Sequence, residues 1–181
     1  MKHIDTLLFF QAGPKWIEYA ETQQDFETLW NNCSDPQLLN FIESQLGILS
    51  HEDRRLLACQ LVRKTPIDGS MMWDLLEDVS KTKVIMSEKY AKGEITYEEL
   101  KQFLKESNPG KRLDYVDKPR HWHAADATTD SHSNVASRYA GAFGQCSYPH
   151  GSDGWSAVSF AQCEIIREFV GNPFIGNERI K

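Results

Sequence analysis

The sequence has no long apolar run. Its longest early stretch of this kind, residues 7–10, has only four residues and follows the charged Lys2 and Asp5. A bilayer-spanning helix needs about 20 apolar residues, and the core of a secretory signal needs about 7 to 15. We therefore expect no membrane span, no targeting signal and a cytoplasmic location.

Cysteine is scarce, and its four copies are far apart in the chain, at Cys33, Cys59, Cys146 and Cys163. No C-x-x-C pair is present, and the spacings match no zinc ligand set. A chain of 181 residues can also bury an adequate core without disulfides. We expect four reduced, metal-free thiols, as in a protein of a reducing compartment.

Positive charge is in short supply. The chain has 20 Lys and Arg residues against 26 Asp and Glu residues, a net charge of −6. Nucleic-acid binding relies on clustered Lys and Arg, so direct nucleic-acid binding is not expected. Residues 1–60 carry nine acidic residues against four basic ones. This acidic end is either a solvated surface or one that attracts a basic partner protein.

Signatures of nucleotide binding and of covalent catalysis are missing. The chain contains neither G-x-x-x-x-G-K-[ST] nor G-x-G-x-x-G, and it contains no G-x-S-x-G. Cys146 and His150 are a nucleophile and a base in principle, but a separation of four residues does not establish a catalytic pair. The sequence assigns no catalytic residue and no cofactor.

The sequence does contain a series of helix start and stop signals. Capping residues precede apolar residues that recur at spacings of three and four, the pattern of amphipathic helices. The predicted starts are Ser34 or Asp35 followed by Pro36, Ser50 with Asp53, Ser80, and Thr96 with Glu99. The prediction is a mainly α fold, a compact array of about seven or eight short helices that forms a single domain over residues 1–181.

Some stretches are less regular. Residues 4–10 fit either a strand or a docked helix, whereas the spacing of Met72, Leu75, Leu76 and Val79 predicts a helix. A polar segment near 107–120 contains two prolines, and residues 141–154 contain four glycines and Pro149. Both of these segments are predicted to be loops.

A further apolar pattern runs through the last third of the chain, formed by Trp122, Ala125, Thr129, His132, Ala136 and Tyr139. Their spacings of three and four place them on one face of a continuous helix. Most are small, so a neighbouring helix can approach closely. Trp122 begins this face and is expected in the core; the alternative is an exposed recognition patch with His121.

The order of these signals resembles that of a known group of proteins. The motifs are W-N-N-C-S-D-P at 30–36, R-R-L-L-A-C at 54–59, W-D-L-L-E-D-V-S at 73–80, S-E-K-Y-A-K-G at 87–93, T-Y-E-E-L at 96–100 and Q-C-E-I-I-R-E-F-V-G-N-P at 162–173. Together they resemble the Imm-5-like immunity proteins, a family of helical proteins of bacteria and phages. The resemblance covers about residues 26–172. It implies a binding or neutralising protein, with no catalytic residues to carry over.

Residues 120–132 are rich in histidine and aspartate. On a helix, His123, Asp126 and Asp130 occupy positions i, i+3 and i+7, so they are weak candidates for a metal site. His121 and His132 cannot complete that site, because eleven residues of helix separate them by about 16 Å. The alternative is a polar surface at the start of a helix.

These observations favour a non-enzymatic protein that binds another protein. We expect a stoichiometric inhibitor, or an immunity or anti-defence factor, of bacterial or phage origin. The candidate contacts are His121, His123, Tyr148 and His150, because the segment from 120 to 153 combines histidines, aromatic residues and turns. Two alternatives remain: a metal-dependent enzyme that uses residues 121–132, and a small structural or assembly subunit that associates with itself.

Overall fold

The computed structural model of the protein describes residues 3–107, 120–130, 132–146 and 151–174. These residues form ten α-helices and one short β-hairpin in a single domain, which confirms the mainly α prediction with more helices than the seven or eight expected. The helices are α1 His3–Phe9, α2 Pro14–Glu21, α3 Phe26–Asn32, α4 Pro36–Leu46, α5 His51–Lys64, α6 Asp78–Ala91, α7 Tyr97–Ser107, α8 Arg120–Ala127, α9 Ser133–Cys146 and α10 Gly151–Val170. None of these helices is long and apolar enough to cross a lipid bilayer.

Most of the predicted helix starts are confirmed by hydrogen bonds. The carboxylate of Asp35 accepts from the backbone N–H of Gln37 at 2.9 Å, and the Ser50 hydroxyl accepts from that of Asp53 at 3.0 Å. Thr96 and Glu99 form a reciprocal capping box, in which each side chain accepts from the other residue's backbone N–H. Side-chain capping thus satisfies backbone donors at the starts of α4, α5 and α7.

The prediction that Ser80 caps a helix is wrong. Helix α6 begins two residues earlier, at Asp78, and Glu77 occupies the capping position with an extended backbone. Ser80 lies inside the helix and is buried. Asp78 lies in the first turn, where a negative charge interacts favourably with the helix dipole. A helix can therefore start without a capping side chain.

Residues 66–77 differ from the predicted helix. Strands β1 Pro66–Ile67 and β2 Ser70–Met71 pair in an antiparallel hairpin, and a 3₁₀ helix covers Met72–Leu75. Asp68 and Gly69 form the turn with φ of +48° and +80°. Consecutive positive φ values suit an Asp-Gly pair in a two-residue hairpin turn. The extended backbone at Leu76 and Glu77 then separates the 3₁₀ helix from α6 and interrupts the helical spacing. Leu75 and Val79 are exposed as a result, whereas Met72 and Leu76 are buried.

Helix α5 lies at the centre of the fold. It packs against α6, α8, α9, α10 and the 3₁₀ helix, and α4 packs against α9 and α10. The largest buried apolar side chains of this core are Leu7, Leu29, Trp30, Leu38, Leu39, Ile42, Leu57, Leu61, Met72 and Ile166. Helix α5 contacts the most neighbours and contributes Leu57 and Leu61 to the centre of this core.

Helix α9 contains a stretch that the sequence predicts as a loop. Gly141 and Gly144 lie inside this helix, and residues 151–154 belong to α10, so the loop prediction for 141–146 and 151–154 is wrong. A Cβ atom at Gly144 would lie 2.4 Å from Nε2 of Gln162 and 2.7 Å from Cε of Met72. Glycine at 144 therefore permits close packing of α9 on its neighbours. The predicted polar loop of residues 108–119 lies outside the described residues.

The predicted continuous helix through residues 122–139 is also interrupted. Helix α8 ends at Ala127, and α9 begins at Ser133. The hydroxyls of Thr128 and Thr129 donate to the carbonyls three residues back, at 2.8 and 2.7 Å. Such local side-chain bonds compete with helical ones. The predicted face is divided as a result: Ala125 and Ala136 are buried, and Tyr139 is half exposed.

Candidate partner-binding surface

The three residues at the start of α8 have very different environments. His121 is half buried, Trp122 packs against the core, and His123 is only 4% exposed. The ring of His123 lies 5.5 Å from the ring of Phe143 on α9. The prediction that Trp122 belongs to the core is therefore confirmed. His123 is buried, so a partner cannot reach it at the surface. His121 is the histidine of this segment that keeps partial access to solvent.

His121 connects α8 to the 3₁₀ helix. A hydrogen bond joins its side chain to the backbone of Leu75. Burial lowers the pKa of His121, and the bond to Leu75 acts in the opposite direction. The start of α8 is thus fixed next to residues 71–79, a contact between segments about 46 positions apart that the local spacing of residues does not predict.

Residues 71–79 present an apolar surface to solvent. Met71 is 47% exposed, Leu75 39% and Val79 45%. Four residues of chain span at most about 14 Å, so successive members of this set lie in one region of the surface. We refer to Met71, Leu75, Val79 and His121 as the apolar patch. Acidic Asp74 and Asp78 are exposed within the same segment.

Trp73 lies at the edge of this segment with two cations over its ring. The guanidinium carbon of Arg63 is 3.9 Å from the ring centroid, and Nζ of Lys81 is 5.9 Å from it. Arg63 also donates to both carboxylate oxygens of Glu88, at 2.6 and 2.9 Å. These contacts fix Trp73 as a half-buried wall beside the apolar patch.

The predicted metal candidates, His123, Asp126 and Asp130, do not all lie on one helix, because α8 ends at Ala127. Nζ of Lys83 lies 2.6 Å from Oδ1 of Asp126, and Nδ1 of His123 lies 3.9 Å from Oδ2 of the same carboxylate. Asp130 belongs to the turn after α8, where its carboxylate accepts from the backbone N–H of His132. An ammonium group therefore occupies the position beside Asp126. Within the described ranges, no three His, Cys, Asp or Glu side chains are grouped as a metal site requires.

Buried donors hold the turn between α8 and α9. Arg55 on α5 donates to the carbonyls of Thr128 and Asp130, at 2.7 and 2.5 Å. The Ser87 hydroxyl on α6 donates to the same Thr128 carbonyl at 2.5 Å. Helices α5 and α6 thus both bind the turn that follows α8. In these contacts Arg55 and Ser87 help to position α8.

The remaining candidates, Tyr148 and His150, lie outside the described residues. The neighbouring end of α9 is described, and Cys146 there is exposed. A groove of about 170 Å³ adjoins it, lined by Lys15, Ser34, Asp35, Gln145, Ser156 and Ser159. The carboxylate of Asp35 in this groove already accepts from Trp16 at 3.0 Å and caps α4. Contact of Tyr148 and His150 with a partner stays a prediction.

Sequence reasoning missed the apolar patch. The spacing of Leu75 and Val79 predicts that both are core residues of a helix, yet both side chains are exposed. The break lies at Leu76 and Glu77, where the backbone is extended between the 3₁₀ helix and α6, and no glycine or proline marks it in the sequence. Residues on the two sides of this break need not share the phase of one helix.

Comparison of the chain with protein-family models, curated proteins and solved structures finds no significant match. The resemblance to the Imm-5-like immunity proteins therefore stays a prediction from the motifs.

Proposed function

We propose that this protein acts by binding another protein stoichiometrically, as an inhibitor or immunity-type factor in the cytoplasm of a bacterium or a phage-infected cell. The observation that carries the proposal is the apolar patch. It contains three exposed apolar side chains, and the backbone of one of these residues, Leu75, is hydrogen-bonded to the side chain of His121. This bond between two segments supports a preorganised contact surface.

Burial of the apolar patch would supply part of the binding free energy. Removing apolar surface from water contributes about 25 cal/mol per Å², and Met71, Leu75 and Val79 each expose more than a third of their surface. Interface cores are enriched in methionine and aromatic residues, and here Trp73 lies next to the patch. The patch therefore has the composition of a contact core.

The partner that fits this surface is apolar with a basic rim. Asp74 and Asp78 are exposed between the apolar side chains, and the chain carries a net charge of −6. Complementary charge accelerates encounter and disfavours acidic partners. We therefore infer a basic partner protein that inserts apolar side chains at the patch.

The proposal is tested with two substitutions matched in exposure. Leu75 is 39% exposed within the patch, and Ile85 on α6 is 37% exposed outside it. A partner is first isolated by affinity capture from the native cytoplasm. It should bind the wild-type protein with a 1:1 stoichiometry by calorimetry. Leu75→Asp should weaken binding by about tenfold or more, because it places a charge in a desolvated contact. Ile85→Asp should bind with wild-type affinity.

The same experiment has clear contrary outcomes. Circular dichroism must first show that both variants retain the helical fold. If Leu75→Asp then binds as tightly as the wild type, the patch is not the contact. The predicted contribution of residues 147–150 is examined separately with Tyr148→Ala and His150→Ala. Turnover of a substrate by catalytic amounts of the purified protein would overturn the binding-protein proposal.

A further inference from the structure

A cavity of about 670 Å³ opens where the first turn of α5 faces the end of α6. Its polar lining comes from His51, Glu52, Arg55, Tyr90 and Lys92, and Ala91 and Gly93 complete the wall. This volume lies within the range of small-molecule sites, about 300 to 1,000 Å³. The apolar patch contributes none of these lining residues.

Arg55 is the buried cation of the cavity. The residue is 4% exposed, and its hydrogen-bond acceptors are the carbonyl oxygens of Thr128 and Asp130. A guanidinium has five N–H donors, so these two bonds leave others available. Three other arginines, Arg54, Arg63 and Arg167, each lie within 2.8 Å of a carboxylate oxygen. Arg55 makes no such ion pair with the part of the chain that the structure describes.

The surroundings hold the guanidinium in place without neutralising it. The ring of Tyr90 lies 5.3 Å from the Arg55 Cζ, and the ring of Tyr97 packs against Tyr90 at 5.9 Å. Burial lowers the pKa of Arg55, and the nearby Tyr90, Cys59, Asp130 and Tyr97 only partly oppose that shift, so a bound anion would reduce the remaining cost of the buried charge. A positioned, partly available guanidinium matches the geometry of carboxylate and phosphate groups.

The rim of the cavity adds further positive charge. Lys92 is exposed at the end of α6 and makes no ion pair with the described residues. His51 lies on the α5 side. Glu52 is the acidic residue of the lining, and it is exposed rather than directed onto Arg55 in an ion pair. The balance of charge in the cavity therefore favours an anion.

We propose that this cavity binds an oxyanion group, a carboxylate or a phosphate, through the Arg55 guanidinium with Lys92 at the rim. This site is independent of the proposed contact at the apolar patch. A partner can occupy one of the two sites without the other. The ligand class follows from the fork of donors on Arg55, and Tyr90 provides an aromatic wall for the group attached to the anion.

The test uses inorganic phosphate and glutarate as probes, with sodium chloride at equal ionic strength as the reference. Binding to the full chain is followed by calorimetry and by the shift of the Arg55 side-chain Nε–H resonance. Both are expected to respond to at least one probe, and the tighter probe identifies the class of anion. Lys92→Glu should weaken binding by about fivefold, because it removes an attractive charge from the rim and adds a repulsive one.

The matched control is Lys89→Glu, because Lys89 is also exposed near the end of α6 but does not line the cavity. It changes the net charge by the same amount and should leave the affinity unchanged. Arg55→Lys should abolish binding. If that variant fails to fold, the comparison of Lys92→Glu with Lys89→Glu still tests the proposal. Equal weakening by both glutamate variants, or no response of the wild-type protein to either probe, overturns the proposal.

Discussion

The side chain of Glu43 is fully buried and contacts Arg54. Its Oε1 accepts from Arg54 Nε at 2.8 Å and from the backbone N–H of Leu49 at 3.1 Å. Burial raises the pKa of Glu43, and the bond to Arg54 opposes that shift. This carboxylate therefore depends on its partner, because an isolated buried charge is costly.

Removal of Glu43 should expose that dependence. Glu43→Leu leaves Arg54 buried without its carboxylate, and we expect the free energy of unfolding to fall by about 3 to 5 kcal/mol. Glu43→Leu with Arg54→Met should recover most of the loss. Chemical denaturation measures both. Glu168→Leu, which breaks the exposed pair with Lys64 at 3.2 Å, is the control and should cost less than about 1 kcal/mol. A double variant as unstable as the single one would contradict this account.

The four cysteine thiols differ sharply in their environments. Cys33, Cys59 and Cys163 are buried, and Cys146 is exposed. Burial raises the pKa of Cys33 to about 11 and that of Cys59 to about 12, and it also raises the pKa of Cys163. Since the thiolate is the reactive form, the three buried thiols are protonated and protected near pH 8.

A disulfide exchange reagent should consequently modify Cys146 alone in the native protein at about pH 8. In denaturant, all four thiols should react. The absorbance of the released thiolate counts the reacting groups. Cys146→Ser should remove the native reaction entirely. Rapid modification of two or more thiols in the folded wild-type protein would show that the buried cysteines are accessible.

At the scale of the element, the two glycines inside α9 have opposite packing. A Cβ at Gly141 would meet Asn40 and Gln162 atoms at 3.8 Å, an ordinary contact distance. At Gly144 it would overlap the ends of the Gln162 and Met72 side chains. Both of those residues are fully buried, and Nε2 of Gln162 donates to Thr65 at 3.3 Å. Movement away from a new methyl group would disturb that bond.

Alanine substitution separates the two positions. Gly141→Ala should stabilise the protein by about 0.5 to 1 kcal/mol, because alanine is the better helix former. Gly144→Ala gains the same helical preference but overpacks the core, and we expect a net loss of about 1 kcal/mol. Thermal and chemical unfolding of the pair give the sign. Equal effects of the two substitutions would mean that Gln162 and Met72 move aside without cost.

Local signals predict helix starts better than they predict interruptions. Asp35, Ser50 and Thr96 are caps because their side chains act within three residues of their own position. The break after Ala127 depends also on Arg55, whose acceptors lie 73 and 75 residues away. The spacing of apolar residues within 122–139 carries no information about Arg55, because this donor lies on another helix. For the same reason the sequence predicts a loop at Gly144: the residues that pack against it, Gln162 and Met72, lie in distant segments.

The candidate surface is predicted only in part for the same reason. The sequence selects His121, and the structure places it beside Leu75. It also selects His123, whose burial depends on Phe143 of the next helix. Exposure of Leu75 and Val79 follows from the extended backbone at Leu76 and Glu77, which places them on two different elements, and not from their own residue types. Contacts between elements decide which apolar residues remain at the surface.

At the scale of the whole molecule, the net charge of −6 should affect the rate at which the proposed partner associates. We expect the association rate with a basic partner to fall as sodium chloride rises from about 0.05 to 0.5 M, because salt screens exposed charges. Stopped-flow or biosensor kinetics measure it. Asp74→Asn with Asp78→Asn should flatten the dependence, whereas Leu75→Asp should act mainly on dissociation. An association rate insensitive to salt would exclude a basic partner.

Arg167 near the end of α10 connects this helix to the end of α3, far earlier in the chain. Its Nε donates to the carbonyl of Trp30 at 3.0 Å, and its Nη2 donates to that of Cys33. These partners lie 137 and 134 residues earlier in the chain. At about 5 to 20 residues per second, a ribosome needs roughly 7 to 27 s to synthesise the intervening segment. During that time the apolar faces of α3 and α4 are without α10, so newly made chains should depend on chaperones until α10 has been synthesised.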